Sequence, residues 1–226
     1  MKRALAACVL LALPLAAGAD GAVVAVEGKA ALERGKDSVN VVAALPIQAG
    51  DTLRVQKQSK VQLQFDDDSL FTIPGAAVLR VDAFVAPEKG AGRAVYTLVD
   101  GGLRTITGRV SKNPQDVYEL HTDLATVTVK GSAYTALRCR STCAGQKAGL
   151  YVKAEKGLIT VANANGKVNL RPGEVAYVET AESGPARVKN SPFLDPVFAS
   201  AFTFSEILEG AGEPPRIEQE TPVSPS

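Results

Sequence analysis

Cys139 and Cys143 are the residues whose type and spacing most directly suggest chemistry. They stand in the stretch Cys-Arg-Ser-Thr-Cys, and the third cysteine, Cys8, lies in an N-terminal apolar run. A redox pair usually shows the spacing C-x-x-C. A zinc site needs further Cys or His ligands, and this chain contains one histidine. An even number of cysteines in an exported protein favours a disulfide. We therefore predict a structural disulfide between Cys139 and Cys143, with a redox or metal site as the alternative.

The single histidine is the first candidate for catalysis. His121 and Asp123 lie two positions apart and could act as a general base and the carboxylate that orients it. The alternative is an exposed histidine on a strand, which we favour because no nucleophile can be assigned to the pair. Ser132 follows Gly131 but lacks the G-x-S-x-G pattern of a nucleophile elbow. We predict no catalytic residues, no cofactor and no enzymatic activity.

Four acidic residues could supply the oxygen ligands that calcium prefers. Asp66, Asp67 and Asp68 are consecutive, and Asp51 precedes them. The alternating ligands of a calcium-binding loop are absent, and adjacent acids at the end of a strand are typical of a solvated turn. We predict a solvated turn here and no metal site.

Three basic residues, Lys130, Arg138 and Arg140, lie near the two cysteines in the sequence. Such a group can contact an anion, an acidic wall glycan or a protein partner. The alternative is a solvated strand face on which the long side chains cover apolar surface. The sequence thus leaves a partner or anion contact at these residues as a hypothesis.

An N-terminal export signal precedes the elements that would position these residues. Met1-Lys2-Arg3 is positively charged, residues 4–17 are mostly apolar, and Ala17-Gly18-Ala19 has the small residues of a cleavage site. The apolar run is shorter than the roughly 20 residues that a membrane-spanning helix needs. We predict a cleaved signal peptide over residues 1–19, a mature N-terminus at Asp20, a periplasmic location and no membrane span after cleavage.

The charge of the chain is close to balanced, with 25 Lys and Arg against 24 Asp and Glu. Proteins that bind nucleic acid usually present a strongly basic face. We therefore predict no nucleic-acid partner.

Short alternating segments separated by turn residues dominate the sequence after the signal. Val61, Leu63 and Phe65 alternate with two glutamines, which is the period of two of a half-buried strand. Asn165-Gly166 is a strong hairpin signal, and we read Asp100-Gly101-Gly102 as a further turn. The remaining predicted strands cover residues 70–73, 95–99, 103–107, 117–122, 126–130, 134–139, 150–154, 158–162, 168–170 and 175–178. This pattern predicts an all-β fold, either a sandwich, a barrel or a solenoid.

Changes in composition divide the chain further. Residues 20–183 form the predicted β domain, and a Pro- and Gly-containing stretch near residues 86–92 is a candidate boundary between two consecutive β-rich units. Residues 184–209 form a C-terminal extension, and residues 210–226 have the Pro, Glu and Ser content of a disordered tail.

The C-terminal extension contains an apolar stripe. Phe198, Phe202 and Phe204 could share one side of a short helix over residues 198–208. Such a stripe either docks on a partner or packs back on its own domain, and we favour the second.

A series of short motifs follows in order between about Gly21 and Thr180. The order of these motifs resembles that of the periplasmic FecR domain, a family of β-rich envelope domains. The motifs are Gly21-Ala22-Val23, Gly50-Asp51-Thr52-Leu53, Asp67-Asp68-Ser69-Leu70, Gly101-Gly102-Leu103-Arg104, Thr122-Asp123-Leu124-Ala125, Val129-Lys130-Gly131-Ser132, Gly157-Leu158-Ile159 and Leu170-Arg171-Pro172-Gly173.

The sequence departs from the family pattern at four positions. Lys130 stands where the family signature usually has Arg, and Ser132, Asp123 and Asp67 replace Thr, Pro and Gly. A lysine keeps the charge but lacks the planar fork of donors of a guanidinium.

The resemblance implies an interaction or sensing domain in the cell envelope. With a cleavable signal at its N-terminus, the chain is expected to be a free periplasmic FecR-type protein. Our leading hypothesis is a non-enzymatic module whose partner is another envelope protein, which docks at exposed strand edges. The alternative is a module that binds peptidoglycan, another glycan or a small anion.

Overall fold

The computed structural model describes residues 18–194 and 200–201. The strands are β1 (Gly21–Glu27), β2 (Ala30–Arg34), β3 (Asp37–Asn40), β4 (Pro46–Ile47), β5 (Thr52–Val55), β6 (Lys60–Phe65), β7 (Leu70–Pro74), β8 (Ala77–Val85), β9 (Arg93–Ile106), β10 (Val117–His121), β11 (Thr126–Cys139), β12 (Gly149–Asn163), β13 (Gly166–Leu170), β14 (Val175–Val178) and β15 (Ala186–Val188). A single 3₁₀ turn, Pro192–Leu194, follows them in the described part. The all-β class predicted from the sequence is confirmed.

Three of the predicted segments fall outside this description, wholly or in large part. They are the apolar run of the signal, the helix over residues 198–208 and the tail over residues 210–226. Within the described ranges, no helix is both long and apolar enough to span a bilayer.

Hydrogen bonding joins all these strands into one sheet. The sheet is folded at three long strands into two layers, each of which is called a row here because its strands lie side by side. The first row runs β13, β12, β11, β10, β9, β8, β5, β2, β3. The second row runs β15, β14, β12, β11, β9, β7, β6, β1, β4. Among the described strands, β9 and β10 pair in parallel and the other pairs are antiparallel. Because β9, β11 and β12 occur in both rows, the two rows are parts of one continuous sheet.

Each long strand bends at a glycine with a positive φ angle. These glycines are Gly101 (75°), Gly131 (56°) and Gly157 (73°). β11 and β12 stay paired with each other on both sides of their glycines. The other neighbour changes at the bend, from β10 to β9 for β11 and from β14 to β13 for β12, and β9 exchanges β8 and β10 for β7 and β11. The bend thus carries each strand from one row to the other. Glycine adopts such a backbone without the steric cost that a Cβ would bring.

The turn predicted at Asp100-Gly101-Gly102 is therefore wrong, because β9 continues through it. The breaks predicted between residues 130 and 134 and between 154 and 158 are likewise bends within β11 and β12. The hairpin predicted at Asn165-Gly166 is confirmed, since β12 and β13 pair up to Asn163 and Gly166.

Aromatic side chains fill the space between the two rows. Phe65 of the second row lies 5.1 Å, centroid to centroid, from Phe84 of the first, and Phe71 lies 4.7 Å from Tyr96. Tyr118 and Tyr134 are fully buried in the same region. The rows therefore pack face to face, and the fold is sandwich-like.

Residues 86–92 form the loop between β8 and β9, which are hydrogen-bonded to each other. Strands β1 to β5, β8 and β15 were not predicted from the sequence. A strand such as β1, Gly-Ala-Val-Val-Ala-Val-Glu, consists mainly of small apolar residues without a polar alternation that would identify it.

Candidate binding cavity beside the disulfide

The predicted disulfide is present and ends β11. It joins Cys139, which is fully buried, to Cys143 in the following loop. In that loop the N–H of Cys143 donates to the carbonyl oxygen of Gln146 at 3.2 Å, and the N–H of Gln146 donates back at 2.9 Å. The disulfide thus closes a short, internally hydrogen-bonded loop against the end of the strand.

The outer face of the second row, opposite the main core, carries a second apolar cluster. Leu137 of β11 stands opposite Tyr151 of β12, which stands opposite Tyr177 of β14. The two tyrosine rings are stacked with centroids 4.6 Å apart, and burial together with this neighbour raises the pKa of Tyr151 to about 12. The disulfide, Val175, Val188 and Phe193, which follows the last strand, also belong to the cluster.

A cavity of about 570 Å³ lies next to this cluster. Leu137 and the disulfide form one wall, and Gly101 and Gly102 of β9 lie beside them. The turn between β7 and β8, with Pro74 and Ala76, forms the opposite wall. Because Gly102 pairs with Leu137 and has no side chain, the sheet surface is recessed at this point. The volume falls within the range of ~300–1,000 Å³ typical of ligand pockets.

Two of the three predicted contact residues, Arg138 and Arg140, line this cavity. Arg138 forms two hydrogen bonds to Asp123, Nε to Oδ1 at 2.6 Å and Nη2 to Oδ2 at 2.9 Å, and its side chain is only 11% exposed. These bonds hold the pKa of Asp123 below its ordinary value. The Nε atom of Arg140 lies 3.7 Å from Oδ1 of Asp100. Each guanidinium is therefore balanced by a carboxylate of this chain.

Lys130, the third predicted contact residue, is in a different place. Its ammonium donates to the carbonyl oxygens of Pro114 at 3.0 Å and Asp116 at 2.9 Å, and so holds the loop before β10. Ser132 belongs to the same junction, since its N–H donates to Oγ1 of Thr107 at 3.0 Å. The structure does not bring Lys130 together with the two arginines, and it gives this part of the motif a role in attaching a loop.

The acidic residues considered for calcium have other partners. Asp51 is buried and receives two hydrogen bonds of 2.7 Å from the guanidinium of Arg34. Asp66 to Asp68 do form a turn, but Asp67 is fully buried, so the prediction of a wholly solvated turn is wrong for this residue. In the described ranges, no three His, Cys, Asp or Glu side chains are grouped as metal ligands would be.

His121 and Asp123 do not form the predicted pair. The Nε2 atom of His121 lies 2.8 Å from a carboxylate oxygen of Glu119 on the same strand, and Asp123 is bound by Arg138. The side chains of His121 and Glu119 are both partly exposed on the sheet surface. His121 is thus a partly exposed residue of β10 that is paired with Glu119.

The disulfide and the arginines of the cavity were predicted from the sequence, whereas its apolar walls were not. Pro74 and Gly102 reach this place through pairing between distant parts of the chain.

The chain is similar to a known protein family and to solved structures. A protein-family profile described as FecR protein matches residues 51–169, more than half of the chain. Two crystal structures of a proposed anti-sigma factor from Parabacteroides distasonis ATCC 8503, at 1.65 and 2.50 Å resolution, are similar with a TM-score of 0.47 and 14% identity. The similarity covers 63% of this chain and 61% of that one, less than two thirds of its length. No curated protein matches the sequence.

Proposed function

The chain belongs to the FecR protein family, and we propose that it is a non-enzymatic interaction or sensing module of the bacterial periplasm that binds another envelope protein. The observation that carries the proposal is the apolar cavity beside the Cys139–Cys143 disulfide. Its recessed apolar walls, with charged pairs around them, are suited to an apolar side chain on a polar protein surface.

The charges around the cavity favour a protein partner over a free anion. Arg138 and Arg140 are each paired with a carboxylate, and the ammonium of Lys60 lies 3.7 Å from a carboxylate oxygen of Glu27. An anion would have to compete with these carboxylates for each basic group, and would be repelled by their charge. A partner segment that places an apolar group against Leu137 and the disulfide needs no such exchange.

Two observations support the periplasmic location. The N-terminal pattern of charge, apolar run and small residues is typical of an export signal. A structural disulfide persists in oxidising compartments and is rare in the cytosol.

The proposal can be tested by photo-crosslinking in cells. The photoreactive residue benzoylphenylalanine would replace Ser141, an exposed residue that lines the cavity, and crosslinked products would be identified by mass spectrometry. The matched control carries the same probe at Lys36, an exposed turn residue between β2 and β3. We expect one dominant envelope protein from the Ser141 probe and not from the control.

Two other results would overturn the proposal. Wall fragments at Ser141 would replace it with the glycan-binding alternative. Identical products from Ser141 and Lys36 would show that the cavity does not select a partner.

A further inference from the structure

The described chain ends at the cavity. After β15, Phe193 packs into the apolar cluster beside the disulfide, and Ala201, the last described residue, lines the cavity itself. The cluster and the cavity share Leu137, Cys139 and Cys143. Phe193 and Ala201 of the C-terminal extension therefore both lie at the same outer face of the sheet.

The residues that follow Ala201 include several large apolar side chains. They read Phe-Thr-Phe-Ser-Glu-Ile-Leu over residues 202–208. Consecutive Cα atoms are only ~3.8 Å apart, so Phe202 starts within one residue of the cavity wall. Residues 210–226 contain mostly Pro, Glu, Ser and Gly, and offer few apolar side chains of comparable size.

We propose that residues 202–208 are an intramolecular ligand of this cavity, with an aromatic side chain of Phe202 or Phe204 against Leu137 and the disulfide. This inference rests on the proposed function, because it makes the same cavity the binding site of a partner. A ligand joined to its site through Ala201 has an effective concentration on the order of millimolar or more. The partner must displace the segment before it can bind. The apparent affinity of the partner for the cavity is therefore its intrinsic affinity multiplied by the fraction of molecules in which the cavity is open.

The first experiment locates the segment in the purified mature protein. Benzoylphenylalanine replaces Phe204, and the crosslinked peptides are mapped by mass spectrometry. We expect a crosslink within one molecule to the peptide that contains Leu137 and Ser141. The same probe at Val223, in the distal tail, is the control and should not select that peptide. Crosslinks between two molecules, or to a different face of the sheet, would overturn the inference.

A second variant checks that the cavity itself holds the segment. Ser141→Trp places a large side chain at the cavity edge, at an exposed position where folding should be little affected. We expect this variant to reduce the crosslink from position 204 at least fivefold. An unchanged yield would mean that the segment binds elsewhere.

The last experiment measures competition with the partner in cells. The variant Phe202→Ser with Phe204→Ser should increase partner capture by the Ser141 probe about tenfold, within the usual range of coupling between two binding events. The control, Ile217→Ser with Val223→Ser, should leave capture unchanged. If the Ser141 probe captures the same amount of partner with and without the Phe202 and Phe204 substitutions, the inference is overturned, but the proposed function stands. If the intramolecular crosslink forms but no variant captures a partner, the proposed function is overturned, whereas the binding of the segment in the cavity stands.

Discussion

The side chain of Asp67 is fully buried, although it stands in a run of three acids. Its Oδ1 atom accepts the N–H of Ser69 at 3.0 Å, and its Oδ2 atom accepts the hydroxyl of Ser69 at 2.9 Å and the N–H of Val110 at 3.1 Å. The Ser69 hydroxyl in turn accepts the N–H of Gly108 at 2.8 Å. One carboxylate therefore attaches the turn between β6 and β7 to the loop that follows β9.

We predict that Asp67→Ala lowers the free energy of unfolding by about 2–3 kcal/mol, because buried N–H donors lose their acceptor. The neighbouring change Asp66→Ala is the control. The side chain of Asp66 is exposed, so this variant should remain within about 0.5 kcal/mol of the wild type. Urea unfolding of the three proteins, followed by circular dichroism, measures the difference. Equal losses for both variants would contradict the structural role of Asp67.

Asp116 predicts a pH dependence of stability. Its buried carboxylate accepts hydrogen bonds from three backbone N–H groups, those of Gly92 (2.7 Å), Ser111 (3.1 Å) and Asn113 (2.9 Å). Burial alone would raise the pKa of Asp116. These bonds and the charge of Lys130 outweigh it, and hold the pKa below the ordinary value of 3.8. The carboxylate therefore stabilises the fold above pH 3.8, and this contribution is lost as the pH falls through the lower, folded pKa.

We predict that Asp116→Asn is less stable than the wild type at pH 7, and that the difference narrows below about pH 3.8. At low pH the wild-type carboxylate is protonated and its charge no longer stabilises the fold. The wild type then loses the contribution to the free energy of unfolding that the variant lacks at every pH. Urea unfolding at a series of pH values between about 2.5 and 7 would measure this. A difference that stays constant over the whole series would show that the charge of Asp116 contributes nothing.

At the scale of the elements, the sequence was most informative where one face of a strand is buried. Val61, Leu63 and Phe65 alternate with polar residues, and the strand is found within one residue of its predicted bounds. The glycine bends were mistaken for ends, because a glycine with positive φ is equally suited to a turn and to a bend in a continuing strand. The cavity could not be predicted, because the approach of Gly102 to Leu137 depends on pairing between distant strands.

The disulfide loop after β11 is the element that we expect to be most sensitive to reduction. Its two cysteines are four positions apart, and closing so small a ring stabilises the fold by about 2 kcal/mol on the loop-entropy estimate. We predict this loss for the variant Cys139→Ser with Cys143→Ser, measured by urea unfolding under oxidising conditions. Thr142→Ala, in the same loop, is the control. Adding a reductant should bring the wild type to the stability of the double variant, and no change on reduction would refute the prediction.

At the scale of the whole molecule, the three long strands leave no separate core for each row. Phe65 and Phe71 pack against Phe84 and Tyr96 across the two rows, and buried residues before and after residues 86–92 belong to one cluster. We predict a single cooperative unfolding transition. Because the protein has five tyrosines and no tryptophan, tyrosine fluorescence and far-UV circular dichroism should give coincident urea curves. Two separate transitions would instead support two β units divided near residues 86–92.

The contacts of Asp20, at the start of the folded domain, are relevant to export of the protein and to cleavage of its signal peptide. The N–H of Asp20 donates to the carbonyl oxygen of Ile47 at 2.8 Å, and the carbonyl oxygen of Asp20 accepts the N–H of Asp66 at 2.9 Å. Its carboxylate accepts the N–H of Ala49 at 2.6 Å, whereas Gly18 and Ala19 are exposed. Cleavage after Ala19 would keep every one of these contacts, and the new ammonium group of Asp20 would lie beside the oxygen of Ile47.

We therefore predict that the protein isolated from the periplasmic fraction begins at Asp20. Intact-mass measurement without reduction would give the N-terminus and the state of Cys139 and Cys143 together, since a disulfide lowers the mass by two hydrogen atoms. Replacing Ala17 and Ala19 with Leu removes the small residues of the cleavage site, and should yield an uncleaved, membrane-associated form. A wild-type protein that keeps Met1 and stays with the membrane would contradict the prediction. It would make the N-terminal apolar run an anchor, and would tether the binding cavity to the membrane instead of leaving it free to diffuse.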